Sequence, residues 1–359
     1  MLFFVLSLLL LSFKAVRSLD CTQIQDSQIW AGNKICLPGP SCSPQVLPAN
    51  FNCRYLITVP TTDVSGLYAN VTVFNGMKGV NDFIRVQDVT YTDHVLNSRQ
   101  GNSTNLYYVI PGADIRVEVN TKSVLMNSQF GIIVSYGSAQ IGPVYQMKTG
   151  GEMNFFDMAT TRDGQGAFTS VTFYTDEVDE DDDGITFTIV ANNLYPDGCS
   201  TCYIIGGNLT YPWEINAWAR IAEFGGFSSG RNMLTVVSFQ DGYAGFVLNS
   251  PSEAKPFRII SALAATTNYT YSNMKGYSGR SDAVEVVNFQ SKGIVFDYLA
   301  MWSDHKDCSA YVESGPPNNS SQVLLDLFKW SKPVYFDLQY FTIINNNCTF
   351  DYAVKSYTP

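Results

Sequence analysis

The chain has 359 residues, and 45% of them are hydrophobic, which is enough for two to three domains that each bury a core. Its 32 acidic residues outnumber its 22 lysines and arginines, so the formal net charge is -10 at pH 7. This acidic balance disfavours nucleic acids and anionic membranes as partners, and it favours a neutral or basic partner or a glycan.

Residues 1–18 are predicted to be a signal peptide. Residues 1–11 are almost wholly apolar but too short to span a bilayer, and residues 15–18 place small side chains where a signal peptidase cleaves. We expect cleavage after Ser18 and a secreted, extracellular chain. Lys14 and Arg17 follow the apolar run instead of preceding it, which leaves a signal anchor as the alternative. We expect no other transmembrane segment and, from the polar tail, no lipid anchor.

A series of alternating strand patterns fills residues 47–136. The first strand begins near Cys53, and Tyr55 and Ile57 share one of its faces. The second covers residues 68–74, where the small and branched residues at alternate positions are expected to face a core. Further strands are predicted at residues 82–88, 106–111, 115–120 and 130–136.

The order of these motifs resembles a CUB domain. CUB domains share a cysteine, an aromatic residue, an I-x-V-P sequence, a D-[YF]-[LI]-x-V-x-D strand and a closing F-G strand with a tyrosine. In this chain these are Cys53, Tyr55, residues 57–60, residues 82–88, Phe130-Gly131 and Tyr136. The chain also resembles the CUB-like domains of secreted nematode proteins, which share the C-x-Y-x-I-T-V-P opening and the Y-Y-V-I-P-G sequence at residues 107–112.

This resemblance implies that residues 19–138 form a CUB-like jelly-roll β-sandwich that binds a partner without catalysis. It also implies a role in innate immune defence against microbes, with expression that responds to infection. Because the resemblance covers only the first part of the chain, residues 139–359 are interpreted from their own patterns.

Strand patterns continue beyond residue 139 without an amphipathic helix, and turn sequences such as Pro-Asp-Gly separate them. Residues 282–287 and 348–357 resemble residues 82–87 and 129–136. Residues 139–359 are therefore predicted to be a second all-β region, with a second CUB-like sandwich and a subdivision near residues 272–280 left open. The predicted strands cover residues 168–175, 184–191, 202–209, 232–239, 243–248 and 257–262.

All eight cysteines follow the predicted signal peptide, and an even number in an oxidising compartment favours four disulfides over metal sites. The sequence alone does not fix their pairing. The CUB resemblance implies the first pair, which leaves a local loop as the second. The first pair is Cys21 with Cys53, and the local loop is closed by Cys36 with Cys42. Of the late cysteines, Cys308 with Cys348 could join two strands, and Cys199 with Cys202 would close a small ring.

Seven Asn-x-Ser/Thr sequons predict N-glycosylation on both halves of the chain. The two adjacent sequons are expected to carry one glycan, and early oxidation of Cys348 would lower the occupancy of the last one. The acceptor residues are Asn70, Asn102, Asn208, Asn268, Asn318, Asn319 and Asn347.

Two acidic features raise the question of calcium. The run at residues 176–184 lacks the spaced ligands of an EF-hand and joins two predicted strands, so a solvated hairpin tip is favoured. The CUB resemblance supplies the second candidate, Asp82, at the position of a calcium-binding aspartate. The glutamate expected after the preceding strand is missing, because Phe74 is followed by Asn-Gly-Met and the next glutamate is Glu118. A turn contact is favoured for Asp82, with calcium as the alternative.

The sequence Gly-Phe-Ser-Ser-Gly at residues 226–230 matches the G-x-S-x-G elbow and makes a serine hydrolase centred on Ser228 an alternative function. Hydrolases place this serine between a strand and a helix, whereas a strand is predicted to follow here. The chain has only His94 and His305 as bases, and Asp304 adjoins His305 too closely to orient it well. We therefore predict no catalytic residue.

Residues 199–202 could form a redox pair, but the strand predicted after them favours a structural bridge. The two histidines do not have metal-ligand spacing, so zinc has no support. Trp213 and Trp218 are candidate contacts for a sugar or a protein, although core packing is favoured.

The sequence thus predicts a secreted, disulfide-linked glycoprotein of all-β fold that needs no cofactor. It is expected to bind an extracellular protein or glycan through loops at the edges of its sandwiches. A structural matrix or coat protein is a further alternative.

Overall fold

The computed structural model describes residues 21–61, 66–123, 126–139, 141–148, 151–158, 169–177, 184–191, 199–224, 226–239, 245–290, 293–302, 307–318 and 321–359. The fold is all-β, as predicted, and the chain divides into two compact units, Met1–Gln140 and Ile141–Pro359. In the described ranges the helices are α1 (Trp218–Phe224), α2 (Pro251–Ala254) and the 3-10 turns Asp26–Gln28, Ser98–Gln100 and Leu327–Lys329.

The first unit is a sandwich of two antiparallel sheets. Its described strands are β1 (Lys34–Leu37), β2 (Gln45–Val46), β3 (Asn52–Thr58), β4 (Gly66–Gly76), β5 (Phe83–Gln87), β6 (Asp93–Asn97), β7 (Ser103–Val109), β8 (Asp114–Asn120) and β9 (Gln129–Ala139). Sheet A has the order β1-β9-β4-β7 with β2 paired to β9, and sheet B has the order β3-β8-β5-β6. The sequence did not predict β1, β2 and β6, because short strands at sheet edges show little alternation.

Alternate burial explains why these residues form strands. In β4, Ala69, Val71 and Val73 are fully buried, which confirms the predicted core face. The two sheets meet through stacked rings of Tyr55 in β3 and Phe130 in β9, with ring centroids 5.9 Å apart. The apolar face of each strand therefore holds the sandwich together.

The second unit contains three sheets. Its described strands are β10 (Val144–Gln146), β11 (Asn154–Asp157), β12 (Thr169–Tyr174), β13 (Thr186–Ala191), β14 (Cys202–Gly207), β15 (Pro212–Ala217), β16 (Phe227–Ser228), β17 (Met233–Ser238), β18 (Gly245–Asn249), β19 (Phe257–Ala264), β20 (Thr270–Met274), β21 (Ser281–Val287), β22 (Gly293–Met301), β23 (Ser309–Ser314), β24 (Val323–Asp326), β25 (Val334–Phe336), β26 (Tyr340–Asn346) and β27 (Phe350–Tyr357).

One long sheet is shared by two hydrophobic cores in this unit. Sheet C (β10-β12-β17-β14-β15) and sheet E (β20-β27-β22-β25) have five and four strands, and sheet D has nine, in the order β11-β18-β13-β19-β21-β26-β23-β24 with β16 paired to β13. Phe173 and Phe246 belong to a core between sheets C and D, whereas Phe296 and Phe341 belong to a core between sheets D and E. The parallel pair β13 and β19 joins the two halves of sheet D.

Helix α1 is a correction to the sequence-based prediction that the region contains no helix. Trp218 and Ile221 lie three residues apart on one face of α1, and both are buried. The ring of Trp218 contacts that of Phe187, with centroids 5.4 Å apart. Because α1 has only seven residues, it offers too few turns for a periodic signal.

The core between sheets C and D takes residues from strands up to β18, and the core between sheets D and E takes residues from β19 onward. Residues 272–280 cover the end of β20 and the connection to β21, and both strands contribute to the second core. The division into domains at residue 138 and near residues 272–280 stays a prediction. Within the described residues, no helix is long and apolar enough to cross a membrane.

A buried glutamate lies in the middle of sheet D. The side chain of Glu285 in β21 is fully buried, and Asn249 Nδ2 donates a hydrogen bond to its Oε2 at 3.0 Å. Glu285 Oε1 and Asn249 Oδ1 are buried without a hydrogen-bond partner, so a neutral, protonated carboxyl costs less to bury here than a carboxylate. Burial raises the pKa of Glu285 to about 8, and nearby Glu253, whose pKa burial raises to about 7, adds repulsion.

The substitution Glu285→Gln is expected to stabilise the chain at pH 8. The folded carboxyl holds its proton up to about pH 8, whereas the unfolded one loses it near the ordinary value of 4.5, so stability falls as pH rises between these values. Glutamine keeps a donor and an acceptor for Asn249 without this cost. We expect a gain on the order of 2 kcal/mol at pH 8 and little change at pH 4.5, from urea unfolding at both values.

Glu152→Gln is the matched control, because its side chain is 61% exposed. It should leave the pH dependence of unfolding as it is in the parent chain. A Glu285→Gln variant that is less stable than the parent at pH 8 would contradict the argument.

Candidate functional site

The outer face of sheet B carries three arginines in neighbouring strands. Because side chains alternate along a strand, the residues beside the buried ones point to solvent. The register places Arg54 and Arg85 on either side of Glu118 in one row, and Arg116 beside Leu56 in the next row. We call this surface the arginine groove and define it by Arg54, Arg85, Arg116 and Glu118.

The arginine groove has a volume of about 390 Å³, which is within the range of ligand-binding clefts. Its other lining residues are Gln23, Tyr55, Leu56, Gln87, Asp93 and Val117. Apolar surface beside a few charged groups allows contact with a ligand and fixes its orientation.

The arginines of the groove keep much of their hydrogen-bonding capacity. Arg54 Nη2 and Arg85 Nη1 lie 3.7 Å and 3.9 Å from the two oxygens of Glu118, and Arg116 Nε lies 3.4 Å from Asp114 Oδ1. The two contacts with Glu118 are too long to be hydrogen bonds. A carboxylate of a partner could therefore accept two parallel hydrogen bonds from a guanidinium group.

The segment before β1 closes one rim of the groove. Gln23 Nε2 donates to the carbonyl of Arg54 at 2.6 Å, and Gln23 Oε1 accepts from the amide of Leu56 at 3.4 Å. The disulfide between Cys21 and Cys53 ties this segment to β3. Gln23 thus occupies backbone groups at the edge of sheet B that would otherwise be open to pairing.

The sequence did not predict the arginine groove, although it contained part of the signal. The alternation in β3, β5 and β8 shows which residues point outward, but it does not show which strands are neighbours. The order β3-β8-β5 brings together arginines that lie far apart in the sequence. The predicted binding loops at the sandwich edges stay a prediction.

Asp82 holds a loop of the first unit. Its Oδ1 accepts from the backbone amides of Lys122 and Ser123 at 2.8 Å and 3.1 Å, and its Oδ2 accepts from the hydroxyl of Ser128 at 2.6 Å. Burial alone would raise the pKa of Asp82, but these hydrogen bonds outweigh it and lower the pKa below the usual value. These are contacts of a turn residue, and calcium at Asp82 stays a prediction.

The part of the chain that the structure describes adds no acidic ligand to the calcium candidate Asp82. Among the described residues, no three His, Cys, Asp or Glu side chains are placed to hold a metal ion. After Phe74, where a CUB domain would supply glutamate, the side chain of Asn75 donates to the carbonyls of Asn97 and Gly101. In the acidic run, Asp176 and Glu177 accept hydrogen bonds from other parts of the chain, and residues 178–183 lie outside the described residues.

Ser228 does not have the setting of a hydrolase nucleophile. It lies in β16, pairs with Thr186 of β13, and is followed by strand β17 and not by a helix. A nucleophile elbow requires the helix, because its N-terminus orients the serine and the oxyanion-binding amides. His94 Nε2 lies 2.8 Å from Asp88 Oδ2 at a hairpin of the first unit, and His305 lies outside the described residues.

The structure contains four disulfides. Cys202 begins β14, so its ring with Cys199 is not at the N-terminus of a helix that would lower a thiol pKa. The four bonds are Cys21 to Cys53, Cys36 to Cys42, Cys199 to Cys202, and Cys308 to Cys348.

The described sequon asparagines differ in exposure. Asn102 and Asn268 are exposed, whereas Asn70 in β4 is half-buried and its Oδ1 is buried without a partner. Half-buried asparagines also begin the sequons at Asn208 and Asn318, and Asn347 has a left-handed backbone with φ of 63°. Asn319 lies outside the described residues. Glycosylation stays a prediction at all seven positions.

The two tryptophans considered from the sequence have different roles. Trp218 packs in the core between sheets C and D. Trp213 in β15 is exposed, and the guanidinium of Arg231 lies over its ring at 4.3 Å from the centroid. Neither tryptophan lies in a loop, because Trp213 is in β15 and Trp218 begins α1.

Comparisons with known proteins bear on the first unit. Residues 17–140 match the family model of the CUB-like domain. This confirms the resemblance at the level of a CUB-like domain. Such domains are generally non-enzymatic, and the match suggests a non-catalytic binding module. No curated protein matches the chain.

The chain also aligns with solved structures at low identity. One is the CUB1-EGF-CUB2 domains of rat MASP-1, with 12% identity, a TM-score of 0.21, and coverage of 61% of this chain and 97% of that one. Another is Sulfolobus Turreted Icosahedral Virus, with 11% identity, a TM-score of 0.21, and coverage of 86% and 84%. Since these TM-scores are low, the description of the fold depends on the strands and sheets themselves.

Asp82→Ala is expected to destabilise the first unit. The substitution leaves the Ser128 hydroxyl and two backbone amides without their acceptor, which costs about 3 kcal/mol. Asp82→Asn keeps one acceptor oxygen and should cost less. Because the pKa of Asp82 is lowered in the folded state, its stabilisation is present at neutral pH and is lost as pH falls through that pKa.

Urea unfolding with and without calcium measures these effects, with the exposed Asp93→Ala as control. If Asp82 has a structural role, Asp82→Ala loses the same free energy of unfolding with and without calcium. If calcium stabilises the parent chain but not Asp82→Asn, Asp82 is a metal ligand instead.

Proposed function

We propose that this chain is a secreted, glycosylated recognition protein that binds an extracellular protein or glycan without catalysis. The arginine groove carries the proposal, because it is a cleft with free guanidinium donors inside the region that matches the CUB-like domain. The signal-like residues 1–18, the four disulfides and the sequons support an extracellular location.

The chemistry of the groove favours a carboxylate as the group it recognises. Arg85 and Arg116 present planar forks of donors that match the two oxygens of a carboxylate. Leu56, whose side chain is exposed, provides apolar contact beside them. A partner with an acidic side chain or an acidic sugar next to an apolar surface would satisfy both features.

The proposed biological role is innate defence against microbes. It is supported by the resemblance to the CUB-like domains of secreted nematode proteins, through the C-x-Y-x-I-T-V-P opening at residues 53–60. A microbial surface glycan or protein is then the partner to test first, with calcium as a variable.

Binding of the secreted chain to an array of microbial glycans and extracellular proteins tests the proposal. The double variant Arg85→Gln and Arg116→Gln should bind at least tenfold more weakly than the parent chain, because charge-assisted hydrogen bonds are lost while the exposed sites tolerate glutamine. Arg99→Gln is the control, since Arg99 is exposed in the same unit and does not line the groove.

Equal binding by the double variant and the parent would contradict a role for the groove. Labelling of the folded chain by a serine-reactive probe, lost in Ser228→Ala, would contradict the absence of catalysis and favour the hydrolase alternative.

A further inference from the structure

The outer face of sheet E in the second unit is rich in exposed aromatic residues. The inner face of the same sheet packs Phe296, Phe350 and Tyr352 into a core. The aromatic residues turned the other way are between 41% and 67% exposed, apart from a half-buried Tyr357. We call them the tyrosine face, and they are Tyr269, Tyr271, Tyr298, Trp302, Tyr335 and Tyr357.

The strand register brings the rings of this face together. Tyr271 of β20 and Tyr298 of β22 flank Ala353 of β27, and the small side chain between them leaves room for their rings, whose centroids are 6.4 Å apart. Tyr269 lies 6.0 Å from Tyr271 by the same measure. A patch of exposed aromatic side chains of this kind marks an interaction surface.

Carboxylates hold three of the six aromatic side chains in place. The hydroxyl of Tyr269 donates to Asp297, the hydroxyl of Tyr357 donates to Asp337, and Trp302 Nε1 donates to Asp351 at 2.9 Å. Side chains that are already fixed lose less conformational freedom when a partner binds. These three side chains are therefore preorganised.

The charge on this face favours a cationic partner. Three carboxylates, those of Asp297, Asp337 and Asp351, lie among the rings, and Lys355 is the cation that accompanies them among the described residues. Lys355 Nζ lies 4.3 Å from the centroid of the Tyr269 ring and 3.7 Å from Asp297 Oδ2. The face thus already binds one cation by a ring and a carboxylate together.

A second cation in this unit, Arg258, is also bound by a ring and a carboxylate together. The guanidinium of Arg258 lies 3.7 Å from the centroid of the Tyr277 ring, and it donates two hydrogen bonds to Asp282 at 3.0 Å and 2.6 Å. Trp302 and Asp351 present a ring and a carboxylate in contact, and Trp302 is 66% exposed. This pair can accept a cation from outside the chain.

We propose that the tyrosine face docks an extended, arginine-bearing segment of a partner polypeptide. The rings are tilted to one another, by 42° between Tyr269 and Tyr271 and by 65° between Tyr271 and Tyr298, so the surface is ridged and not flat. Ridged aromatic surfaces fit an extended, proline-containing backbone, whose side chains enter the gaps. Arginines of the segment stack on the rings and pair with the carboxylates, whereas anionic glycans and nucleic acids are repelled.

Fluorescence anisotropy of a labelled synthetic peptide of alternating proline and arginine, titrated with the secreted full chain, tests the proposal. The double variant Tyr271→Ala and Tyr298→Ala should bind at least tenfold more weakly, because it removes two rings without changing the net charge. Tyr211→Ala is the matched control, since Tyr211 is 77% exposed in the same unit and lies outside the tyrosine face. Circular dichroism checks that each variant is folded.

Several outcomes would overturn the proposal. The first is equal affinity of the double variant and the parent for the arginine peptide. The second is a loss of affinity in Tyr211→Ala as large as that in the double variant. The third is binding of a peptide of alternating proline and glutamate as tightly as the arginine peptide. Binding of a neutral oligosaccharide in place of the arginine peptide would assign the face to a glycan, and self-association lost in the double variant would assign it to a second copy of this chain.

Discussion

Alternate burial along paired strands is the constraint on which the rest of the structure depends. One face of each strand fills a sandwich core, as Ala69, Val71 and Val73 do in β4, so the other face is left for solvent or a partner. Both candidate surfaces lie on such outer faces, the arginine groove on sheet B and the tyrosine face on sheet E. Because a slip of one residue would turn every outward side chain inward, the cores fix both surfaces through strand register.

Two buried carboxylates show how the number of hydrogen-bond donors decides the cost of burial. Asp82 receives three hydrogen bonds, and its pKa is lowered despite burial. Glu285 receives one, and burial raises its pKa to about 8. The first carboxylate therefore stabilises a loop as an anion, whereas the second fits sheet D best when it carries a proton. The two units thus respond to acid in opposite directions at these positions.

The sequence predicted local features better than it predicted neighbours. Long strands such as β4 and β9 were recognised because their apolar residues alternate, and the motif order around Cys53 and residues 82–88 indicated the CUB-like domain. Short edge strands and the short helices α1 and α2 gave no periodic signal. The two surfaces were missed because each joins residues from separate strands, and strand order depends on long-range packing that a single sequence does not show.

Arginine-specific chemical modification, read by mass spectrometry, tests the central claim that the chain recognises its partner through the arginine groove. The partner from the array that binds most tightly would be added before the reagent. The account predicts that Arg54, Arg85 and Arg116 become protected while exposed Arg99 and Arg220 react as before. If the bound partner leaves the three groove arginines fully reactive, recognition takes place elsewhere and the claim is wrong.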